Sequence, residues 1–255
     1  MKKTGTRPLS STSNRHRNDI YGDLKGPDAS ETVPAIPAAT VLLLKEGSNG
    51  ADVLMLHKNS KMAFGGMWVF PGGKIDQADF PENGDTNKAA ANAAVREAKE
   101  EADIDIDQND FVWFAHWSPP PAGQAKRFAT WFFAAPVLVD GPISVDGGEI
   151  RDFEWINPAA ALEKHAVGDI DLAPPTWVSL YHLARYESID RILEHFNSEE
   201  PRVYETRVVE QEGIRIAMWK EDAGYGVWDA GIEGPRHRLL MKPGGFVFEH
   251  SAVEY

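Results

Sequence analysis

The sequence predicts an α/β fold with a β-rich C-terminal extension, and three observations carry that prediction. Apolar runs at 38–44 and 53–57, separated by Lys45-Glu46-Gly47-Ser48-Asn49-Gly50, read as strand, turn, strand. Residues 86 to 102 read as one long helix, and the runs 111–117 and 128–139 return the chain to strands. After residue 197 the pattern changes to short alternating stretches bounded by glycines.

The 255 residues, 42% of them hydrophobic, suffice for one sizeable core with additions. We therefore divide the chain into a disordered tail at 1–34, a main domain at 35–197 and a β-rich extension at 198–255. A net charge of -13 disfavours broad electrostatic contact with nucleic acid or an anionic membrane. With no cysteine, disulfides, thiolate zinc sites and cysteine nucleophiles are excluded. No apolar run approaches the roughly 18 residues of a membrane span. The first 34 residues are rich in Ser, Thr, Asn and Pro without hydrophobic periodicity, and a cytoplasmic location is expected.

The segment 59–66 follows the first strand pair and is expected to form a loop over the site. Phe64 and Trp68 can stack on a base, cover an acyl group, or pack in the core. Trp68-Val69-Phe70-Pro71 reads as a short buried strand, and Gly72-Gly73 as a turn that a phosphate or metal can approach. Asp85 or Thr86 caps the helix that follows.

On that helix, at about 100° per residue, Glu97, Glu100 and Glu101 share one arc, and Ala91, Ala94, Val95, Ala98 and Ala102 form an adjoining small-residue stripe. Three carboxylates on one arc repel unless the face is solvated or a cation uses them. Oxygen donors of this kind suit magnesium or manganese, with substrate phosphates completing the shell.

Past the strand at 111–117, Ser118-Pro119-Pro120-Pro121-Ala122-Gly123 must be a loop, and at this position it can border a pocket. Lys126 and Arg127 either meet phosphate there or sit at a solvated loop-strand junction. Residues 147–158 join a turn, a strand and a helix start; two more helices follow, one opened by Pro174 or Pro175 and one over 188–196. The extension carries alternating runs at 203–210, 214–220, 237–241 and 246–250, which can pack on the core, shape the pocket or pair with a second subunit as a homodimer.

The strand, the Gly-Gly turn and Arg96-Glu97-Ala98-Lys99-Glu100-Glu101 together resemble the Nudix hydrolase signature, Gly-x5-Glu-x7-Arg-Glu-U-x-Glu-Glu-x-Gly-U, where U is aliphatic. Gly73 takes the first glycine, Arg96 and Glu97 the Arg-Glu pair, Glu100 and Glu101 the last carboxylates, and Ile104 the final aliphatic position. In the family the arginine follows that glycine by 14 positions; here the separation is 96 − 73 = 23, so nine residues have been added, six assigned to the loop and three to the helix. Counted back from Arg96, the first signature glutamate falls on Lys88, with Asp85 as a nearby alternative. Asp103 replaces the signature glycine, so the helix end is expected to be built differently.

The resemblance implies an α/β/α sandwich with a mixed sheet. It implies hydrolysis of a diphosphate linked to another moiety in a small nucleotide, with Mg2+ or Mn2+ on Glu97, Glu100, Glu101 and the Gly73 carbonyl, and Arg96 orienting the carboxylates. Family members also use a carboxylate outside the signature as ligand or base, which makes Glu149 a candidate beside Glu97 and Glu100; the alternative is an ordinary surface glutamate. Residues 69–76, the insertion and the helix from 177 resemble, more weakly, the branch of coenzyme A diphosphatases, so coenzyme A or a dinucleotide is the expected substrate type. The chain ends in Val253-Glu254-Tyr255, without that branch's peroxisomal tripeptide. The alternative is a Nudix-fold binding module without activity, from which the retained carboxylates distinguish this chain. An isopentenyl diphosphate isomerase would need a cysteine, and a decapping enzyme a basic RNA track.

Overall fold

In the computed structural model of the protein, residues 16–21, 34–60, 64–120, 127–137, 141–145 and 147–255 are described. The apolar run that starts at Ala38 extends both ways into β1 (Ile36–Gly47), and β2 (Gly50–Lys58) returns antiparallel beside it. The turn between them is tighter than the sequence suggests, because pairing continues to Gly47 opposite Gly50 and Gly50 takes φ 99°.

Around this pair a mixed sheet of eight strands assembles from β3 (Trp68–Val69), β4 (Gly72–Lys74), β5 (Val112–Ser118), β6 (Phe128–Pro136), β7 (Ile150–Ile156) and β8 (Arg202–Glu205). Its main order is β3-β2-β1-β6-β5-β8, with β4 pairing the first half of β1 and β7 pairing β2. β1 with β6 and β5 with β8 run parallel.

Both faces of β1 are covered, which is why its residues 38–44 are all buried rather than alternating. Ala39, Val41 and Leu43 meet the small-residue side of α1 (Thr86–Ala102), whereas Leu42 and Leu44 join a core with α3 (Pro174–Leu183) and α4 (Ile189–Ser198). α2 (Pro158–Val167) packs beside α3. The result is the expected α/β/α sandwich.

The buried stripe of α1 is Ala89, Ala90, Ala93, Ala94, Ala98 and Ala102; Ala91 and Val95 stand at its border, because the helix axis is rotated slightly from the reading based on Ala91, Ala94 and Val95. Asp85 is the N-cap, accepting from the Asn87 and Lys88 amides. The helix end is built as a left-handed cap after all: Asp103 itself adopts φ 56° and ψ 33°, with its carboxylate on Lys99 at 2.6 Å.

Two expectations change. Residues 203–210 do not form one strand, because Thr206 breaks them: its amide donates to the Ser118 carbonyl and its hydroxyl accepts from Trp219 Nε1. The first half is β8 in the main sheet, and the second is β9 (Arg207–Gln211), which opens an antiparallel sheet with β10 (Ile214–Met218), β11 (Arg238–Lys242) and β12 (Gly245–Glu249). The second sheet shares the core of the first through Trp219, Leu239 and Phe246. At the other end, residues 16–21 are not a free tail. His16, Asn18 and Tyr21 are buried, pinned by polar contacts that hydrophobic periodicity does not report; the rest of 1–33 lies outside the described residues.

Candidate active site

The site is built where β4 meets the last two turns of α1. Gly73 lets Glu97 of the helix approach β4 more closely than any side chain allows, and Gly72 does the same for β4 against β1. A Cβ on Gly73 would stand 2.2 Å from Glu97 Oε1, and one on Gly72 would stand 2.4 Å from the Ala39 carbonyl. Glu101 uses the same approach: its Oε2 accepts from the Gly72 amide at 2.9 Å. At 4% exposure Glu101 is the most buried carboxylate of the helix. Burial pushes its pKa up to about 7 against the opposing pull of Lys58 and the Gly72 amide.

Arg96 organises the remaining acids. Its Nη1 donates to Glu97 at 2.8 Å and to Glu100 at 3.0 Å, and its Nη2 to the Lys74 carbonyl at 2.9 Å. Its other contacts reach back to Asp79, at 3.1 Å from Nε and 3.0 Å from Nη2. Burial would raise the Asp79 pKa, but the hydrogen bonds from Arg96 and the Asp76 amide hold it below its ordinary value. Glu97 moves the other way, raised by burial despite Arg96.

Lys58 ends β2 at a register shift and joins two regions of the chain. Its Nζ lies 3.4 Å from Glu101 Oε1 and 3.0 Å from Glu149 Oε1. Burial lowers the Lys58 pKa, and the two carboxylates outweigh that, leaving it raised.

A cavity of about 800 Å³ opens on this cluster. Gly73, Glu97, Glu149 and Phe64 line it, so four of the residues singled out from the sequence converge. Glu101 is buried beside Glu97, Glu100 is exposed and does not line the cavity, and Arg96 bonds Glu97 and Glu100 together. Trp68 does not line the cavity: its ring stacks on His57 with centroids 5.1 Å apart, so of the alternatives open to it, core packing holds. Arg127 is likewise directed elsewhere, donating to the Pro119 and Pro120 carbonyls, which shapes the proline loop instead of presenting a cation to phosphate. Lys126 lies outside the described residues.

Sequence reasoning missed Asp79 and Lys58. Asp79 had a signal: counted forward, it follows Gly73 by the Gly-x5-Glu spacing, whereas counting back from Arg96 lands on Lys88. The nine added residues therefore lie between Asp79 and Arg96, and Asp85 is occupied as a helix cap. Lys58 had none, since a lysine after an apolar run is an ordinary strand end.

The donors are carboxylates and backbone carbonyls, which suit a hard divalent cation. Glu101 Oε1 is buried without a hydrogen-bond partner, with the Lys58 ammonium 3.4 Å away and the Glu97 and Glu149 carboxylates also acting on Glu101. That orphaned oxygen in an acidic cluster fits a magnesium or manganese ion. Among the described residues no three His, Asp or Glu side chains close on one point, because Arg96 holds Glu97 and Glu100 while Lys58 holds Glu101.

Comparison with known proteins gives three findings. The family model described as NUDIX domain matches residues 34–175. Acyl-coenzyme A diphosphatase NUDT19 of Homo sapiens is 30% identical over 77 residues, which is 30% of this chain and 20% of that protein's length. A NUDIX hydrolase of Alicyclobacillus acidocaldarius superposes with a TM-score of 0.57 at 21% identity, over 64% of this chain and 97% of that one.

Proposed function

This chain belongs to the Nudix family, and on that premise we propose that it is a pyrophosphohydrolase cleaving the diphosphate linkage of a nucleoside diphosphate joined to another moiety. The observation that carries the reading is the Gly73 cradle. A glycine without room for a methyl group holds Glu97 against the backbone, beside buried Glu101, at the wall of a cavity large enough for a nucleotide-sized ligand.

Glu97, Glu100, Glu101 and the Gly73 carbonyl would hold magnesium or manganese. When bound, the ion supplies charge neutralisation for the phosphate oxygens. Arg96, itself fixed by Asp79, keeps Glu97 and Glu100 oriented through charge-assisted hydrogen bonds. Lys58 and Lys74, both on the cavity wall, place positive charge beside the diphosphate. A water attacks one phosphorus in line with the bridging oxygen, the P–O bond to that oxygen breaks, and the water's proton passes to Glu97 or Glu149, the two carboxylates that face the cavity. The similarity to the acyl-coenzyme A diphosphatase makes coenzyme A derivatives the first substrates to try, with dinucleotides next.

The test is product analysis by chromatography after incubation with magnesium or manganese and coenzyme A, its acyl derivatives, NADH, ADP-ribose, diadenosine polyphosphates and nucleoside triphosphates. Cleavage of at least one, abolished by chelator and lowered at least about tenfold in Glu100→Gln with folding unchanged, is the expected result. No cleavage of any member with either ion would overturn the reading in favour of a binding module.

A further inference from the structure

The cavity has two chemically different ends. Its charged lining residues, Lys58, Lys74, Glu97 and Glu149, all belong to the cluster around Gly72 and Gly73; among the described residues, the rest of the wall carries no charge. Aligned positions on neighbouring strands give its length. Lys74 pairs with Ala38, Ala38 with Thr130 and Thr130 with Trp117, so Trp117 lies three strand spacings, about 14 Å, from the glycine strand. That is well beyond the two phosphates. The wall there is mainly aromatic and aliphatic, with Trp117, Phe132, Phe128 and Phe64 together with Ile20 and Tyr21, and its polar groups are the uncharged hydroxyls of residues such as Ser118 and Thr130.

Ile20 and Tyr21 come from outside the stretch 34–175 that the family model matches. They are held on the cavity by the segment that precedes them. Arg17 donates to Asp171 at 2.5 Å, the Asn18 side chain meets His165 Nε2 at 2.9 Å, and Asp19 pairs with Arg215 of β10 at 3.1 Å with both side chains buried. Thr206, at the entry to the second sheet, also lines the cavity. The N-terminal strap and the C-terminal sheet are therefore one assembly, in which a buried ion pair fastens the strap as a wall of the substrate cavity.

We propose that Ile20 and Tyr21 determine specificity, selecting diphosphates whose second moiety is uncharged and predominantly apolar over those carrying a polar or charged group. The bond cleaved rests on the hydrolase reading above; the selectivity rests on the strap and on the uncharged wall. A charged second moiety would meet no opposite charge there, and a hydroxyl-rich one would lose water against the faces of Trp117, Phe128 and Phe132 with only scattered Ser and Thr hydroxyls to replace it, whereas an alkyl or aromatic group buries its surface.

The test compares two probes on the full chain: ADP-ribose, and ADP esterified at its terminal phosphate with n-octanol. The expected kcat/KM for octyl-ADP exceeds that for ADP-ribose by at least about tenfold. In Ile20→Ser and Tyr21→Ser that preference falls at least about fivefold, chiefly through the KM for octyl-ADP. Should either serine variant lose its cooperative melt, Ile20→Ala and Tyr21→Leu supply the same comparison with smaller packing changes. Hydrolysis of ADP-ribose without an octyl preference, or a preference that survives in folded variants, overturns the specificity proposal and leaves the hydrolase reading standing. If neither probe is cleaved, the hydrolase reading is left to the full substrate panel, and calorimetric affinities decide the proposal: tighter octyl-ADP binding that weakens in the strap variants supports it, and equal affinities overturn it.

Discussion

Gly73→Ala separates the chemistry of the site from its stability. The added Cβ would stand 2.2 Å from Glu97 Oε1 and 2.5 Å from Glu97 Cδ, and ordinary contact begins at 3.4 Å. The carboxylate must therefore retreat by at least 3.4 − 2.2 = 1.2 Å, and it can, because it is the end of a flexible side chain. Gly73 has no positive φ, so the backbone accepts alanine. Retreat breaks the 2.8 Å contact with Arg96 and moves Glu97 off the cavity wall. A misplacement of about 1 Å costs on the order of 100-fold in rate, about 2.7 kcal/mol of barrier. Gly72→Ala has the opposite character: its Cβ would meet the Ala39 carbonyl at 2.4 Å and Thr40 Cα at 2.7 Å, and strand backbone cannot retreat. Its cost appears in folding, about 1–3 kcal/mol. The assay is kcat on the substrate identified by the panel, with urea denaturation of the same samples. A Gly73→Ala enzyme within threefold of native kcat would refute the assignment of Glu97 to the reaction.

Three other outcomes are expected. Asp79→Ala releases Arg96 from its anchor, so Mn2+ affinity measured by electron paramagnetic resonance falls about 10- to 100-fold; unchanged affinity would remove Asp79 from this positioning role. Asp222 is fully buried and binds Arg238 at 2.6 and 2.5 Å as well as the His237 and Gly224 amides, so Asp222→Ala strands a buried guanidinium and lowers unfolding free energy by about 3–5 kcal/mol in urea titration. Burial pushes the His182 pKa down to about 3 and that of His165 to about 4, from an ordinary value of 6.5. At these two histidines the unfolded chain then binds more protons than the folded one below pH 6.5. Their contribution to stability is full above that pH and declines as pH falls toward the folded values, by up to about 1.4 kcal/mol per pH unit per histidine. His182→Gln should flatten the slope between pH 6.5 and 5, and an equally steep slope in the variant would exclude this histidine as its source.

The sequence by itself determined what rests on local pattern. Helix α1 spans the residues its periodicity and its Asp85 cap define, and the strands before and after it fall within a few residues of their apolar runs. The Gly-Gly turn and the three glutamates could be read because a short spacing on one helix fixes which side chains share a face. Tertiary structure alone decided which distant groups answer those charges. Lys58 meets Glu149 across 91 positions and Asp19 meets Arg215 across 196, and neither pairing leaves a trace in local periodicity. The same limit explains Trp68 and Arg127. Composition marks an aromatic or a cation as able to bind a ligand, but His57 and the proline carbonyls reach those side chains through the fold. The strap over the cavity and the sheet that holds it are the furthest case, because a buried ion pair between the two ends of a chain exists only once the core has brought them together.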